Sequence, residues 1–230
     1  MAEIVLALDL PDANAALRTL DRLPELRWVK LGSVLMTRAG APFVQQVTGR
    51  GLRVFLDLKW HDIPNTVAGA VSAARVLGVS MATVHTLGGS GMLEAAAQAA
   101  GEALALVGVT VLTSHDAMSY ARATGRTEVS VEAEVGRLAE AARASGLSGV
   151  VCSPREVALV RGIWPGSPLI VAPGIRRRTD SADDQVRVST AGDAAQAGAT
   201  HLVVGRPVLE AADPAAVLRE LTEEAGCAPI

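Results

Sequence analysis

Short apolar runs recur along the whole chain, and each is followed by a stretch in which alanine and other apolar residues repeat at helical spacing. The runs cover residues 4–9, 28–31, 54–59, 81–86, 103–113, 149–153, 169–172 and 201–204. The helical stretches cover 14–23, 38–48, 66–77, 91–100, 130–144, 154–161, 190–197 and 214–225. An apolar run too short for a buried helix, alternating with an amphipathic one, is the pattern of parallel strands joined by crossover helices. Local signals support the boundaries: Asp213 stands before Pro214 as an N-cap with proline at the first helical position, and Gly78, Gly146 and Gly198 stand where helices should stop. Eight such units in 230 residues, with no linker, repeat or low-complexity break, predict an α/β fold. The expectation is a single (β/α)8 TIM barrel over residues 1–230, with 226–230 as a loose tail. The alternative is an open doubly wound sheet. Against it, no G-x-G-x-x-G follows the first run, where Asp9-Leu10-Pro11-Asp12 stands instead.

A barrel carries its chemistry at the C-terminal ends of its strands, and here those ends are polar. In order they offer Asp9; Lys30; Asp57 and Lys59; His85 and Thr86; Thr113 and Ser114; Cys152-Ser153; Pro173-Gly174 with Arg176 nearby; and Gly205-Arg206. The third end is the most demanding. In the strand Val54-Phe55-Leu56-Asp57-Leu58-Lys59, Asp57 and Lys59 share one face while Leu56 and Leu58 take the other, so two opposite charges enter the same space. A structural ion pair at a strand end is the plain reading of an isolated D-x-K. The lysine usage weighs against it. Of 21 basic residues only Lys30 and Lys59 are lysine, and both close apolar runs. A lysine can give up a proton when its surroundings tune it, whereas an arginine is effectively never deprotonated.

The last two strands carry a second signal. Val203-Val204-Gly205-Arg206-Pro207 combines a glycine for close backbone approach, an arginine for bidentate contact and a proline suited to opening a helix. With Ala172-Pro173-Gly174-Ile175-Arg176 beside it, this predicts a site for the anionic tail of a substrate, of the kind barrels place after strands seven and eight. The polar loop 174–185 could close over a phosphate, with Arg176 and Gln185 as reaching groups. Arg177 and Arg178 read as solvated, as do Arg122 and Arg126 after strand five.

A net charge of −3 and a pI near 5.8 speak against a general nucleic-acid binder. Cys152 and Cys227 fit no metal spacing and read as free thiols of a reduced, cytoplasmic chain. The start, Met1-Ala2-Glu3-Ile4, has no basic stretch of a signal peptide, and no uninterrupted apolar run is long enough to span a membrane.

The stretch Asp57-x-Lys59-x-x-Asp62-Ile63-Pro64-Asn65-Thr66 resembles the signature of the orotidine 5′-phosphate decarboxylase family. The likeness extends over nearly the whole chain, through Leu6-Ala7-Leu8-Asp9, Val29-Lys30-Leu31-Gly32, Val84-His85-Thr86-x-Gly88-Gly89, Val111-Leu112-Thr113-Ser114, Ala172-Pro173-Gly174-Ile175-Arg176, Gln185 and Val203-Val204-Gly205-Arg206-Pro207. D-x-K-x-x-D is shared with related phosphosugar enzymes, and the Ile-Pro-Asn-Thr continuation is what points to the decarboxylases.

The resemblance implies a barrel that works without cofactor or metal, as a homodimer with sites at the subunit interface, on orotidine 5′-monophosphate. By matching position, Lys59 would donate the proton within a charge array of Lys30, Asp57 and Asp62, the last reaching in from the partner subunit with Ile63 and Thr66. Asp9 and Lys30 would hold ribose hydroxyls, and Thr113 and Ser114 would lie near the pyrimidine. Arg176, Gln185, Gly205 and Arg206 would surround the 5′-phosphate, with Pro173 on the same binding surface. His85 matches as well, and a structural hydrogen bond is expected for it. Two other readings stay open at this point: a Mg²⁺-dependent phosphosugar decarboxylase or aldolase reusing Asp57, Lys59 and Asp62, and a catalytically silent nucleotide-binding barrel that keeps Gly205-Arg206.

Overall fold

The computed structural model describes residues 2–177 and 189–226. Eight strands close into a parallel barrel in chain order, with β8 pairing back onto β1: β1 Glu3–Ala7, β2 Trp28–Gly32, β3 Arg53–Trp60, β4 Met81–His85, β5 Ala105–Val109, β6 Gly149–Val151, β7 Leu169–Ala172 and β8 His201–Val204. The helices are α1 Ala13–Asp21, α2 Ser33–Thr48, α3 Pro64–Val76, α4 Ser90–Ala100, α5 Ala117–Ala123, α6 Val131–Ala144, α7 Val157–Ile163, α8 Ala191–Gln196, α9 Arg206–Leu209 and α10 Pro214–Glu224. No helix among the described residues is long and apolar enough to cross a membrane.

The alternation of side chains along each strand builds two cores. Outward residues such as Leu6, Val29, Leu31, Leu56, Ala82, Val84, Leu106 and Ile170 pack beneath the helices. Inward residues Val5, Ala7, Trp28, Phe55, Met81, Val107, Val171 and Val203 fill the barrel itself. The inward series decides where chemistry can begin. Two residues beyond Ala7, Trp28, Phe55 and Met81 stand Asp9, Lys30, Asp57 and Thr83, so the polar groups start where the apolar filling ends.

Three local features differ from the sequence reading. The fifth strand is Ala105–Val109, shorter than 103–113, because its partner β6 ends at Val151; past Val109 only Thr110 still reaches it, donating to Val151 O at 3.1 Å. The polar segment after it contains α5, started by a capping box in which Asp116 Oδ1 accepts from Ser119 N at 2.7 Å and Ser119 Oγ accepts from Asp116 N at 3.0 Å. Helix α2 begins at Ser33, well before 38, and breaks at Gly40 (φ 61°, ψ −160°) ahead of Pro42. The helix start at Asp213 is as expected, its side chain accepting from Ala216 N at 3.0 Å.

Candidate active site

Asp57 is the hub of the rim. Lys59 Nζ donates to both of its oxygens, each at 2.9 Å, and Lys30 Nζ lies 3.5 Å from Oδ2. Lys30 Nζ also donates to Asp9 Oδ1 at 3.0 Å, so Asp9, Lys30, Asp57 and Lys59 form a chain of alternating sign. The outer members are open to solvent, with Asp9 56% and Lys59 39% exposed, whereas Lys30 and Asp57 are 11% and 13% exposed. Burial alone would raise the Asp57 carboxyl. The charges of Lys30 and Lys59, with hydrogen bonds from Lys59 and Thr83, outweigh that and hold it below the usual carboxylate range.

The backbone that presents these groups is irregular. Leu56 pairs with Ala82 and Trp60 with Val84, so Asp57, Leu58 and Lys59 together oppose the single residue Thr83. Such a bulge re-aims side chains beside a site. Lys59 sits in it at φ 50°, the one positive φ of a non-glycine residue among the described residues. Gly32, at the end of β2, keeps the adjoining space clear: a Cβ there would lie 3.1 Å from Asp9 Oδ1 and 3.2 Å from Lys30 Nζ.

These residues line one cavity of about 630 Å³, a size suited to a small-molecule ligand. Its wall contains Asp9, Lys30, Asp57, Lys59, Thr113, Pro173, Arg176, Gly205 and Arg206, nine of the positions singled out from the sequence. Charge at the Asp57 end gives way to Val109, Val111, Leu112 and Val151, and the two arginines lie towards the ends of β7 and β8. Arg176 is buried, donating from Nη1 to Ile175 O at 3.0 Å. Its backbone N–H donates to Ser189 O at 2.9 Å, and Ser189 N donates to Gly174 O at 3.2 Å, which pins the two flanks of the intervening stretch together. Gly174 turns the chain out of β7 at φ 82°, a conformation that favours glycine.

Four expected positions stand elsewhere. Ser114 is exposed beside Thr113 and does not line the cavity. Asp62, Ile63 and Thr66 are exposed outside it, Ile63 by 66%, with Asp62 Oδ1 accepting from Ile63 N at 2.6 Å. Gln185, Arg178 and most of the stretch 174–185 lie outside the described residues, as do Cys227 and residues 227–230 of the tail. His85 has the structural hydrogen bond expected of it, Nδ1 accepting from Leu87 N at 3.3 Å. It also stacks on His61, ring centroids 5.4 Å apart. Burial, helped by the charges of His61 and Lys59, pushes its imidazole down to about 4. Cys152 is buried and not in a disulfide. Among the described residues no three His, Cys, Asp or Glu side chains gather as a metal-binding group.

The residue missed from the sequence is Thr83. It is fully buried, accepts a hydrogen bond from Lys59 N at 2.8 Å and donates one to Asp57 Oδ1 at 3.1 Å. Its signal was a hydroxyl at an inward position of Met81-Ala82-Thr83-Val84-His85, two residues before the strand end that drew attention.

Comparison with known proteins gives the family of the chain. A model of the orotidine 5′-phosphate decarboxylase / HUMPS family matches residues 2–221. A protein of Alkalilimnicola ehrlichii named orotidine 5′-phosphate decarboxylase is 48% identical over 227 residues, covering 97% of this chain and 96% of its own. One of the same name from Halorhodospira halophila is 49% identical over 229 residues, covering 98% and 96%. Among solved structures, orotidine 5′-phosphate decarboxylase from Lactobacillus acidophilus superposes with a TM-score of 0.88 at 33% identity, over 99% of this chain and all of that one.

Proposed function

Because the chain belongs to the orotidine 5′-phosphate decarboxylase / HUMPS family, we propose that it is a carboxy-lyase that converts orotidine 5′-monophosphate to UMP and CO₂, the last step of UMP synthesis. The observation that carries this reading is the alternating chain Asp9–Lys30–Asp57–Lys59 at one end of a cavity that has Arg176 and Arg206 in its wall.

Loss of CO₂ from C6 of the pyrimidine leaves an electron pair that no ring carbonyl is placed to delocalise in the ordinary way. The protein must therefore stabilise charge at that carbon and then protonate it. Lys59 answers both needs, as a cation facing the developing charge and as the acid that delivers the proton to C6. Asp57 lies beside the departing carboxylate in this reading. Two like charges about 4 Å apart at an effective dielectric of about 20 repel by about 4 kcal/mol, and that repulsion disappears with CO₂. Lys30, shared between Asp9 and Asp57, keeps Asp57 aimed while Asp9 and Lys30 hold ribose hydroxyls. Thr113 and Ser114 lie towards the pyrimidine. Arg176, Gln185, Gly205 and Arg206 take the 5′-phosphate, with Pro173 beside them, and binding energy gained there offsets the cost of the crowded carboxylates. Asp62, Ile63 and Thr66 complete the site of a partner subunit in a homodimer, which their exposure outside their own cavity supports. No cofactor or metal takes part in this scheme, and the protein works in the cytoplasm.

The test is an absorbance assay with EDTA-treated protein and orotidine 5′-monophosphate. Rapid loss of the orotate band without added metal is the expected result. An unchanged band, with turnover of a phosphosugar on adding Mg²⁺, would overturn the proposal.

A further inference from the structure

The bulge in β3 raises a question that the charged residues leave unanswered: what holds Lys59 in a left-handed conformation while its ammonium stays on Asp57? Three residues of β3 stand here against one of β4, so the regular pairing of the two strands is interrupted at Lys59. The Thr83 hydroxyl meets the Lys59 N–H there. It accepts from Lys59 N at 2.8 Å and donates to Asp57 Oδ1 at 3.1 Å. A hydroxyl has one proton to donate and lone pairs to accept with, so both bonds form at once and each fixes the sense of the other. Thr83 is fully buried, so water does not supply either bond should the hydroxyl be removed. Its β-branched side chain has few rotamers in a strand, which makes it a stiff strut.

We propose that Thr83 is a positioning residue for the decarboxylation: its hydroxyl ties the backbone of Lys59 to the carboxylate of Asp57, and so sets the ammonium at the distance from the reacting carbon that proton delivery requires. This rests on the function proposed above. Thr83 does not line the cavity, and its effect runs through the two residues it joins. Misplacing a reacting group by about 1 Å can cost about a hundredfold in rate, so a strut of this kind acts on the chemical step more than on affinity. Asp57 also receives part of its downward shift from the Thr83 hydrogen bond, which gives the hydroxyl a second readout.

The experiment compares Thr83→Val, equal in shape but without the hydroxyl, with Thr83→Ser, which keeps it. The valine variant should lose about 10- to 100-fold in kcat, the range expected for deleting a buried hydrogen bond to a charged group, with KM for orotidine 5′-monophosphate within about twofold. Its acid limb of kcat against pH should move to higher pH, because the Asp57 carboxylate has lost a donor. The serine variant should recover kcat to within about fivefold of wild type. Thr83→Ala, read the same way, serves if the valine variant does not fold. An active wild type with unchanged kcat in the valine variant would overturn the proposal, as would a loss confined to KM or one that serine does not restore. A wild type inactive on the nucleotide would overturn the function as well, so the two failures are distinguishable.

Discussion

Lys59 combines two costs that a protein normally avoids in one residue: an ammonium drawn into a half-enclosed rim and a backbone at φ 50°. Left-handed conformation in a non-glycine residue costs of order 1–3 kcal/mol and persists only where its surroundings hold it. Here Asp57 holds the side chain and Thr83 the N–H. Replacing the lysine with alanine keeps the backbone bond to Thr83 and removes only the ammonium. Lys59→Ala should therefore stay folded and still bind a UMP-like ligand, while kcat falls by roughly 10⁴-fold, the combined scale of general acid catalysis and charge stabilisation. Steady-state rates and a ligand titration on the same preparation check this, and turnover within tenfold of wild type would remove Lys59 from its assigned role. The importance of Lys59 was legible in the sequence because only two lysines exist and both close apolar runs. Thr83 was not legible, because what its hydroxyl meets depends on a bulge in the neighbouring strand, and no spacing within either segment records it.

The eight strands were readable because each is an apolar run bounded by helical periodicity, and two of them, β7 and β8, match the structure end to end. Helix α5 was not, since its segment is polar and its support comes from elsewhere in the chain. Glu134 on α6 carries that support. Arg126 Nη1 donates to its Oε1 at 2.6 Å, Arg137 Nη2 to its Oε2 at 2.9 Å, and Tyr120 OH in the middle of α5 lies 3.4 Å from Oε2. Arg126 is solvent-exposed, as its sequence suggested, yet tied down at its tip. The hydrogen bonds from Arg126 and then Arg137 hold the Glu134 carboxyl down at about 2 despite its burial. With the folded value depressed, the stabilisation is fully present above the unfolded carboxyl range near 4.5, and is lost as pH falls through about 2. Thermal unfolding across that window should thus show a wild-type slope that Glu134→Gln flattens, with the variant less stable at neutral pH. Parallel curves for the two proteins would show that the cluster does not anchor α5.

At the scale of the whole molecule, the cavity wall holds nine of the expected positions, while Asp62, Ile63 and Thr66 face outward. The motif was legible in the residues themselves, whereas its destination in a second copy's site came from the family resemblance alone, because no spacing within one chain encodes which copy's cavity an exposed segment meets. Mixing inactive Asp62→Ala and Lys59→Ala proteins after subunit exchange should restore part of the activity, because each heterodimer regains one site with both groups intact. No recovery, once exchange is demonstrated by mass, would place Asp62 outside a shared site. The lysine pair on Asp57 has a further meaning for reactivity. Lys30 and Lys59 are the only side-chain amines of the chain, so an amine-selective acylating reagent finds, apart from an amino terminus, no nucleophile of its class on the outer surface. Such a reagent, which decorates most proteins indiscriminately, would here titrate the cavity alone, reaching the 39% exposed Lys59 before the 11% exposed Lys30, and a bound ligand would render the protein close to inert towards it.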